Sequence, residues 1–439
     1  MNRKVIISST CIAVLVLGVS GAFYFSQKND VKPTDKDNNL QSSTQTMVEK
    51  QSQTSYFVPY EISSSKCGFV KNGTTDLVGE EYKTCRVLAP NLFLVSKLSD
   101  DENYSTYEVL NGDLKSVYTT KQILTHVLNG YLVFKESSSD AKATVIDFDG
   151  KVILDSVPGE IVSKNNMDVS FPLAVERSFG KENYLTKDGK FLLKDDVLEA
   201  NDFYGGVAVV EVKSSTVGIV RKYINSEGNF INSNEYYSIE PFSRKMSDGL
   251  AFVTVDREKT NRGFINSSGE KIVIVDKDSL ATNFYNGNAL VQKKNGAATS
   301  ISVIDKQGNI AKTLDYKGIV DFESEFDNGL VFINNAEAGN DVLVNSKGDK
   351  ILEIPKRNGD TRSSVKIVNQ LIFVTISNKN LPQSTVVYSL DGRQLYSQSN
   401  SNNIEDAFLV GDTALMSTKF INQYKYFDSN GFNYFKERE

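Results

Sequence analysis

The chain has 439 residues, of which 40% are hydrophobic and 24% are charged, as in an ordinary folded protein. Its formal net charge of −6 offers no basic footprint for nucleic acid, so we expect no nucleic-acid partner. The 25 Phe and 20 Tyr residues, in a chain without Trp, favour strands over helices.

An uncharged apolar segment begins near the N-terminus. Residues 5–25 would span about 31 Å as a helix, which matches the hydrocarbon core of a membrane. Because Arg3 and Lys4 precede it, we predict a short cytoplasmic N-terminus (residues 1–4), a single-pass transmembrane signal anchor (residues 5–25) and an extracellular C-terminal domain at the cell membrane. The alternative is a signal peptide cleaved after Ala22, which would release a secreted protein.

A polar stretch follows this segment. Residues 26–54 contain few aliphatic side chains and therefore bury too little apolar surface to offset the conformational entropy of ordering them. We predict a disordered tether that holds the folded part, residues 55–439, away from the membrane.

A glycine-containing turn recurs through the folded part. Each copy reads apolar residue, short polar run, glycine, and successive glycines lie 38–44 residues apart. The glycines are Gly112, Gly150, Gly189, Gly228, Gly269, Gly308, Gly348, Gly392 and Gly431. A fixed period of this size indicates copies of one supersecondary unit, stacked or arranged radially.

A short apolar strand precedes each turn with the same period. Together with the hairpin that follows it, this strand predicts a unit of three or four strands. Its copies are Leu92–Val95, Tyr131–Phe134, Leu173–Val175, Val207–Val210, Leu250–Val253, Ala289–Val291, Leu330–Ile333, Leu371–Val374 and Ala414–Met416.

We therefore predict an all-β repeat fold of about nine to ten units, preceded by one N-terminal transmembrane helix. Nine full units begin at Leu92, and a half unit spans Tyr56–Val78. Units of this length are typical of propeller blades, in one ring or two, and an open β array is the alternative. In a closed ring, the half unit would complete a blade begun by the last hairpin, Tyr424–Phe435, and so protect the strand edges.

One stretch of the chain resembles a known family. Phe242, then Gly249-Leu-Ala-Phe-Val, then Gly263-Phe-Ile-Asn-Ser-Ser-Gly-Glu-Lys-Ile-Val is similar to the bacterial WG-repeat family, most clearly between residues 200 and 350. The copies here are degenerate, because no Trp is present and Arg262 precedes Gly263. The resemblance implies a β-repeat body, exported or on the cell surface, with a binding or scaffolding role and no catalytic residues to carry over.

The two cysteines outside the apolar segment are the candidate site residues. Cys67 and Cys85 would form a disulfide in an oxidising compartment and staple the half unit, with two free thiols as the alternative. A loop of this size would contribute on the order of 3 kcal/mol. Cys11 lies within the apolar segment.

No set of residues predicts catalysis or a cofactor. His126 is the only histidine, so it cannot build a multi-histidine zinc site, and a strand or core position is expected for it. The turns carry acids that either shape the turn or, if several converge, bind Ca²⁺; their changing positions favour turn formation. These acids are Asp147, Asp149, Asp188, Asp305, Asp391 and Asp428.

The expected function is therefore binding rather than catalysis. We predict a membrane-anchored module that binds or scaffolds an envelope protein or glycan through its variable loops, without a cofactor or metal and not as an enzyme. The alternatives are a propeller-type hydrolase that uses paired acidic residues and a purely structural surface spacer.

Overall fold

The computed structural model describes residues 55–97, 105–136, 142–163, 169–204, 206–215, 218–232, 234–236, 238–239, 247–256, 258, 260–295, 298–322, 329–337, 340–355, 360–368, 370–378, 384–399, 404–410, 413–420 and 423–435. One compact unit spans Gln53–Glu439. The predictions for residues 1–4, 5–25 and 26–54, including cleavage after Ala22, lie outside the described residues.

The described residues form ten antiparallel sheets, each called a blade and numbered in chain order. Neighbours along the chain are neighbours in each sheet, so every blade is a simple meander. The strands of the first five blades are β1 (Phe57–Ser63), β2 (Lys66–Lys71) and β3 (Leu77–Tyr82) in blade 1; β4 (Thr84–Ala89), β5 (Leu92–Lys97), β6 (Thr106–Leu110) and β7 (Ser116–Thr120) in blade 2; β8 (Ile123–Leu128), β9 (Tyr131–Lys135), β10 (Ala143–Asp147) and β11 (Val152–Leu154) in blade 3; β12 (Glu160–Ile161), β13 (Leu173–Ser178) and β14 (Lys181–Leu185) in blade 4; and β15 (Glu199–Ala200), β16 (Val207–Ser214) and β17 (Gly218–Asn225) in blade 5.

The last five blades each have four strands. They are β18 (Ser238–Ile239), β19 (Leu250–Thr254), β20 (Arg262–Asn266) and β21 (Lys271–Val275) in blade 6; β22 (Ser279–Ala281), β23 (Asn288–Asn295), β24 (Ala298–Asp305) and β25 (Ile310–Leu314) in blade 7; β26 (Ile319–Asp321), β27 (Val331–Glu337), β28 (Asn340–Val344) and β29 (Lys350–Ile354) in blade 8; β30 (Asp360–Val368), β31 (Leu371–Asn378), β32 (Ser384–Ser389) and β33 (Gln394–Ser399) in blade 9; and β34 (Ile404–Val410), β35 (Thr413–Phe420), β36 (Gln423–Asp428) and β37 (Asn433–Tyr434) in blade 10.

The recurring apolar strand of the sequence is the second strand of each blade from blade 2 onward. All nine predicted copies fall in such strands, although Leu330 lies just before β27. In blade 6, Phe252 of β19 faces the next blade, whereas Ala251 and Val253 face the preceding one. Because successive side chains of a strand point to opposite faces, a strand buried on both sides is apolar throughout, which explains the continuous runs.

Nine apolar clusters join the ten blades in sequence. Eight of them each connect one blade to the next, from blades 2 and 3 through to blades 9 and 10. The ninth contains residues of blades 1, 2 and 10 together, among them Phe69, Phe93 and Tyr426. The ten blades therefore form one closed β-propeller. The prediction of an all-β fold of about nine to ten units is confirmed, the number being ten, and the ring is single rather than double or open.

The two ends of the described chain meet at the junction of blades 10 and 1, which we call the seam. The Tyr434 hydroxyl accepts a hydrogen bond from the Gly73 N–H at 3.1 Å, and Phe435 forms a single parallel bridge with Glu61 of β1. The Tyr426 hydroxyl also accepts a hydrogen bond from Val87 of blade 2 at 2.8 Å.

The prediction that the two ends of the chain share one blade is wrong. Residues 56–78 do not complete the last blade; with β3 they form a three-stranded sheet of their own, while the last blade has its own four strands. The sequence interval Tyr56–Val78 also ends inside β3, so the unit is longer than the half unit inferred. Closure comes from packing and hydrogen bonds between separate sheets.

No helix among the described residues has both the length and the apolar character needed to cross a membrane. The predicted anchor, residues 5–25, falls in the part of the chain that the structure does not describe, so it stays a prediction.

Candidate functional site

The two candidate cysteines lie at a junction between blades. Cys67 is on β2 of blade 1 and Cys85 is on β4 of blade 2, both buried, with their Sγ atoms at a bonding distance of 2.18 Å. The pair thus links two neighbouring blades, whereas the sequence argument placed it as a staple within the first unit. This position is beside the seam.

His126 lies on β8 and is half-buried, in agreement with the strand position expected for it. Its Nδ1 is 3.0 Å from the Thr125 hydroxyl. Burial lowers the pKa of His126 from its ordinary value, against the opposing influence of the Asp202 and Glu160 carboxylates. No nucleophilic hydroxyl other than that of Thr125 is placed against it among the described contacts.

Five of the six turn acids accept hydrogen bonds within their own turns, as predicted, whereas Asp149 contributes its backbone N–H. In blade 3, Asp147 Oδ1 accepts hydrogen bonds from the N–H groups of Asp149 and Lys151, at 3.1 and 2.8 Å. Equivalent bonds are made in other blades by Asn111, Asn225, Asn266, Asp305, Asn345 and Asp428. Asp188 and Asp391 instead accept hydrogen bonds from the hydroxyls of Thr186 and Ser389. In the portions of the chain that are described, no three His, Cys, Asp or Glu side chains group to hold a metal ion.

One concavity among the described residues is a groove between blades 3 and 4, which we call the blade 3–4 groove. It encloses about 680 Å³. Val157 and Pro158, from the connection between the blades, contribute apolar surface, and Phe179 contributes an aromatic ring. Its charged lining residues are Lys135, Lys142, Glu160, Glu176 and Arg177.

Phe179 is the unusual residue of this groove because its side chain is 100% exposed. It lies at the tip of the hairpin between β13 and β14, where Gly180 adopts a positive φ of 66°. The Glu176 carboxylate accepts a hydrogen bond from the Gly180 N–H at 3.0 Å and so stabilises the turn. The sequence pattern Phe179-Gly180 between two strands was the available signal, and it was not recognised.

The charges of the groove are held by specific partners. Lys135 Nζ lies 3.5 Å from Glu160 Oε1, which connects blade 3 to blade 4. Arg177 donates a hydrogen bond to Asp196 at 2.9 Å, and its guanidinium lies 4.2 Å from the centre of the Phe191 ring. A cation–π contact of this kind helps to hold the guanidinium in place. Three cations therefore line the same groove as the exposed Phe179 ring, in a chain whose net charge is negative.

Two carboxylates of the groove lie opposite each other. Glu160 and Glu176 are register partners on β12 and β13. Each is engaged, the first with Lys135 and the second with the backbone of Gly180. The groove thus combines apolar contact area with fixed charges, an arrangement suited to binding.

Comparisons with known proteins give no family. No family model and no curated protein matches the chain. Several solved structures match the chain at low identity. The chain is 12% identical to the eukaryotic initiation factor, covering 79% of this chain and 96% of that chain, with a TM-score of 0.43. For the computationally designed Ika8 protein the identity is 11%, the coverage is 68% and 93%, and the TM-score is 0.39. For BamB from Moraxella catarrhalis the identity is 12%, the match covers 68% of this chain and 94% of that chain, and the TM-score is 0.33. None of these likenesses bears on function.

Proposed function

We propose that this chain is a membrane-anchored, extracytoplasmic β-propeller that binds a protein partner of the cell envelope through the blade 3–4 groove. The observation that carries the proposal is Phe179, an aromatic side chain that is 100% exposed at the rim of a charged concavity. Aromatic residues beside a recess are typical anchors of protein interfaces. The anchor and the tether of the sequence, and the paired cysteines, fit an oxidising compartment outside the cytoplasm.

The partner should present an apolar recess for Phe179 and acidic groups for the cations around it. Burying a side chain of this size contributes about 1.5–3 kcal/mol, because its whole surface is removed from water. The cations Lys135, Lys142 and Arg177 would steer an acidic surface to the groove and fix its orientation.

The hydrolase alternative is supported by one feature, the opposed Glu160 and Glu176 pair. Both carboxylates have structural partners, and a general acid would need one of them held protonated. The binding role requires no such change in protonation, so we propose it in preference to hydrolysis.

Substitution of the exposed ring tests the binding role directly. A photo-crosslinking amino acid placed at Phe179 of the full-length protein in its own cells should give one adduct, identified by mass spectrometry. The same amino acid at Ile310, which is 67% exposed on blade 7, serves as the control. With the purified partner, Phe179→Ser should weaken binding about 10- to 100-fold. The same adducts from both positions, or an unchanged affinity, would contradict the proposal.

The proposed location has a separate test. Intact cells treated with a membrane-impermeant amine reagent should show labelling of lysines in residues 55–439, and the protein should remain in the membrane fraction. Labelling that appears only after lysis would place the propeller in the cytoplasm. Recovery in the medium would instead favour cleavage after Ala22.

A further inference from the structure

A second concavity lies at the seam, between the turn that follows β36 of blade 10 and the turn that follows β2 of blade 1. It encloses about 270 Å³ between blades 10 and 1, and we call it the seam pocket. Its side chains are those of Tyr56, Asn72, Thr413, Asp428, Asn430 and Phe432. It shares no lining residue with the blade 3–4 groove.

The seam pocket is open because two turns lack the covering that others have. At Gly150 and Gly392, an added Cβ would lie 2.1 and 2.4 Å from a carbonyl oxygen of the preceding blade. At Gly73 and Gly431, which line the seam pocket, nothing lies within 4 Å. The last strand, β37, has only two residues, so it offers the Gly73 turn less surface to dock on.

The only carboxylate that lines the pocket, that of Asp428, already accepts hydrogen bonds within the protein. Asp428 Oδ1 accepts hydrogen bonds from the N–H groups of Asn430 and Phe432, at 2.9 and 3.0 Å. Its Oδ2 accepts a hydrogen bond from the Tyr434 hydroxyl at 2.9 Å. A cation would have to displace these bonds, and no Lys or Arg lines the pocket to hold an anion. The pocket therefore fits an uncharged ligand.

The remaining groups are neutral, and most of them both donate and accept hydrogen bonds. Asn430 Nδ2 donates to the Thr413 hydroxyl at 3.3 Å, and Asn72 Oδ1 accepts from the Tyr56 N–H at 3.2 Å. Burial raises the pKa of Tyr56 to about 12, so its hydroxyl stays protonated at neutral pH. The rings of Tyr56 and Phe432 are partly buried against the core cluster of the seam, which holds them in place.

We propose that the seam pocket binds one neutral sugar residue of a glycan. A sugar ring carries hydroxyl groups that donate and accept in turn, which matches amide and hydroxyl side chains. It also has apolar C–H faces that pack on aromatic rings. The volume lies just below the usual range for ligand pockets, which suits a single ring. The proposal does not depend on the protein partner of the blade 3–4 groove.

The test uses the full-length protein and defined probes. Glucose, galactose, mannose, N-acetylglucosamine and their disaccharides are titrated by saturation-transfer NMR and calorimetry. At least one should bind saturably, and Asn430→Ala and Thr413→Val should each weaken it about tenfold, the loss expected for one or two hydrogen bonds. Gln307→Ala is the matched control, because Gln307 precedes Gly308 and donates its N–H to Asp305 as Asn430 does to Asp428.

The outcomes separate clearly. Saturable binding that is weakened by the two seam variants and not by Gln307→Ala supports the proposal. Binding that all three variants leave unchanged places the sugar elsewhere, and absence of binding for every probe also overturns it. Phe179→Ser should retain sugar binding, so failure of this proposal is distinct from failure of the proposed protein interaction.

Discussion

Many of the turns that join the third strand of a blade to the fourth begin with a side-chain amide or carboxylate. This group fixes the backbone conformation of the turn. Asn266 Oδ1, for example, accepts hydrogen bonds from the N–H groups of Ser268 and Glu270, both at 3.0 Å. This geometry satisfies two donors that the hairpin leaves unpaired, which is why Asp, Asn, Ser or Thr recurs at this position. The acids of these turns are thus explained without a metal ion.

The single histidine provides a residue-scale prediction. Burial lowers the pKa of His126 below its ordinary value of 6.5. The imidazole therefore binds its second ring proton more tightly in the unfolded chain than in the folded chain. The stabilisation is present above pH 6.5 and is lost as the pH falls through the folded pKa. A proton NMR titration should show this one imidazole titrating below 6.5.

The matched variant for this prediction is His126→Gln. The midpoint of urea unfolding should fall less between pH 6.5 and pH 5 in this variant than in the unmodified protein. An imidazole pKa at or above 6.5 would contradict the assigned burial.

At the scale of the element, the recurring glycine has two tasks. A positive φ, which is 84° at Gly150, closes the turn in every copy except that of Gly112. At positions such as Gly150 and Gly392, the missing side chain also lets the turn dock on the preceding blade. Gly150 meets the carbonyl of Val117 on β7, and Gly392 meets that of Ile351 on β29. The period of the sequence therefore reflects contacts between blades as well as the local turn.

The docking role predicts unequal effects of the same substitution. Gly150→Ala should cost about 1–2 kcal/mol for the left-handed backbone, and about 1–3 kcal/mol more because its Cβ would lie 2.1 Å from the Val117 oxygen. Gly73→Ala should show only the first cost, because φ is 72° there and nothing lies within 4 Å. Urea unfolding of both variants measures the difference, and equal losses would contradict the docking role.

At the scale of the whole molecule, the ring is closed by contacts among blades 10, 1 and 2. Blade 1 has three strands, and blade 10 contacts both blade 1 and blade 2 through Tyr434 and Tyr426. Lys425 Nζ lies 3.4 Å from the buried carboxylate of Glu61, which adds a charged contact across the same junction. Cys67 and Cys85 tie blade 1 to blade 2 beside it.

The disulfide gives the whole-molecule prediction. The denatured full-length protein, prepared without reductant, should expose one free thiol, that of Cys11, and three after reduction. Cys67→Ser with Cys85→Ser should lower the free energy of unfolding by about 3 kcal/mol, because the unfolded chain loses a cross-link. Three free thiols without reductant would contradict the bridge.

Local patterns predicted the elements well because they depend on neighbours in the chain. The apolar strand at Leu250–Val253 and the turn at Gly269 followed from a recurring apolar run and from turn chemistry. Phe179 was missed because a single aromatic residue in a hairpin carries no periodic signal. The seam pocket was missed because its residues, Tyr56 and Asn430 among them, are brought together only when the ring closes.

The sequence by itself determined that the chain repeats, that the unit is a β-meander and that about ten units exist. Those properties follow from short apolar runs and glycine turns that recur about every forty residues, and each run or turn is local in the chain. Only the tertiary structure decided that the ring is single, that blade 1 stands alone rather than completing blade 10, and that Cys67 and Cys85 connect two blades. These outcomes depend on contacts between residues far apart in the chain, such as that of Gly73 with Tyr434, which no single repeat contains.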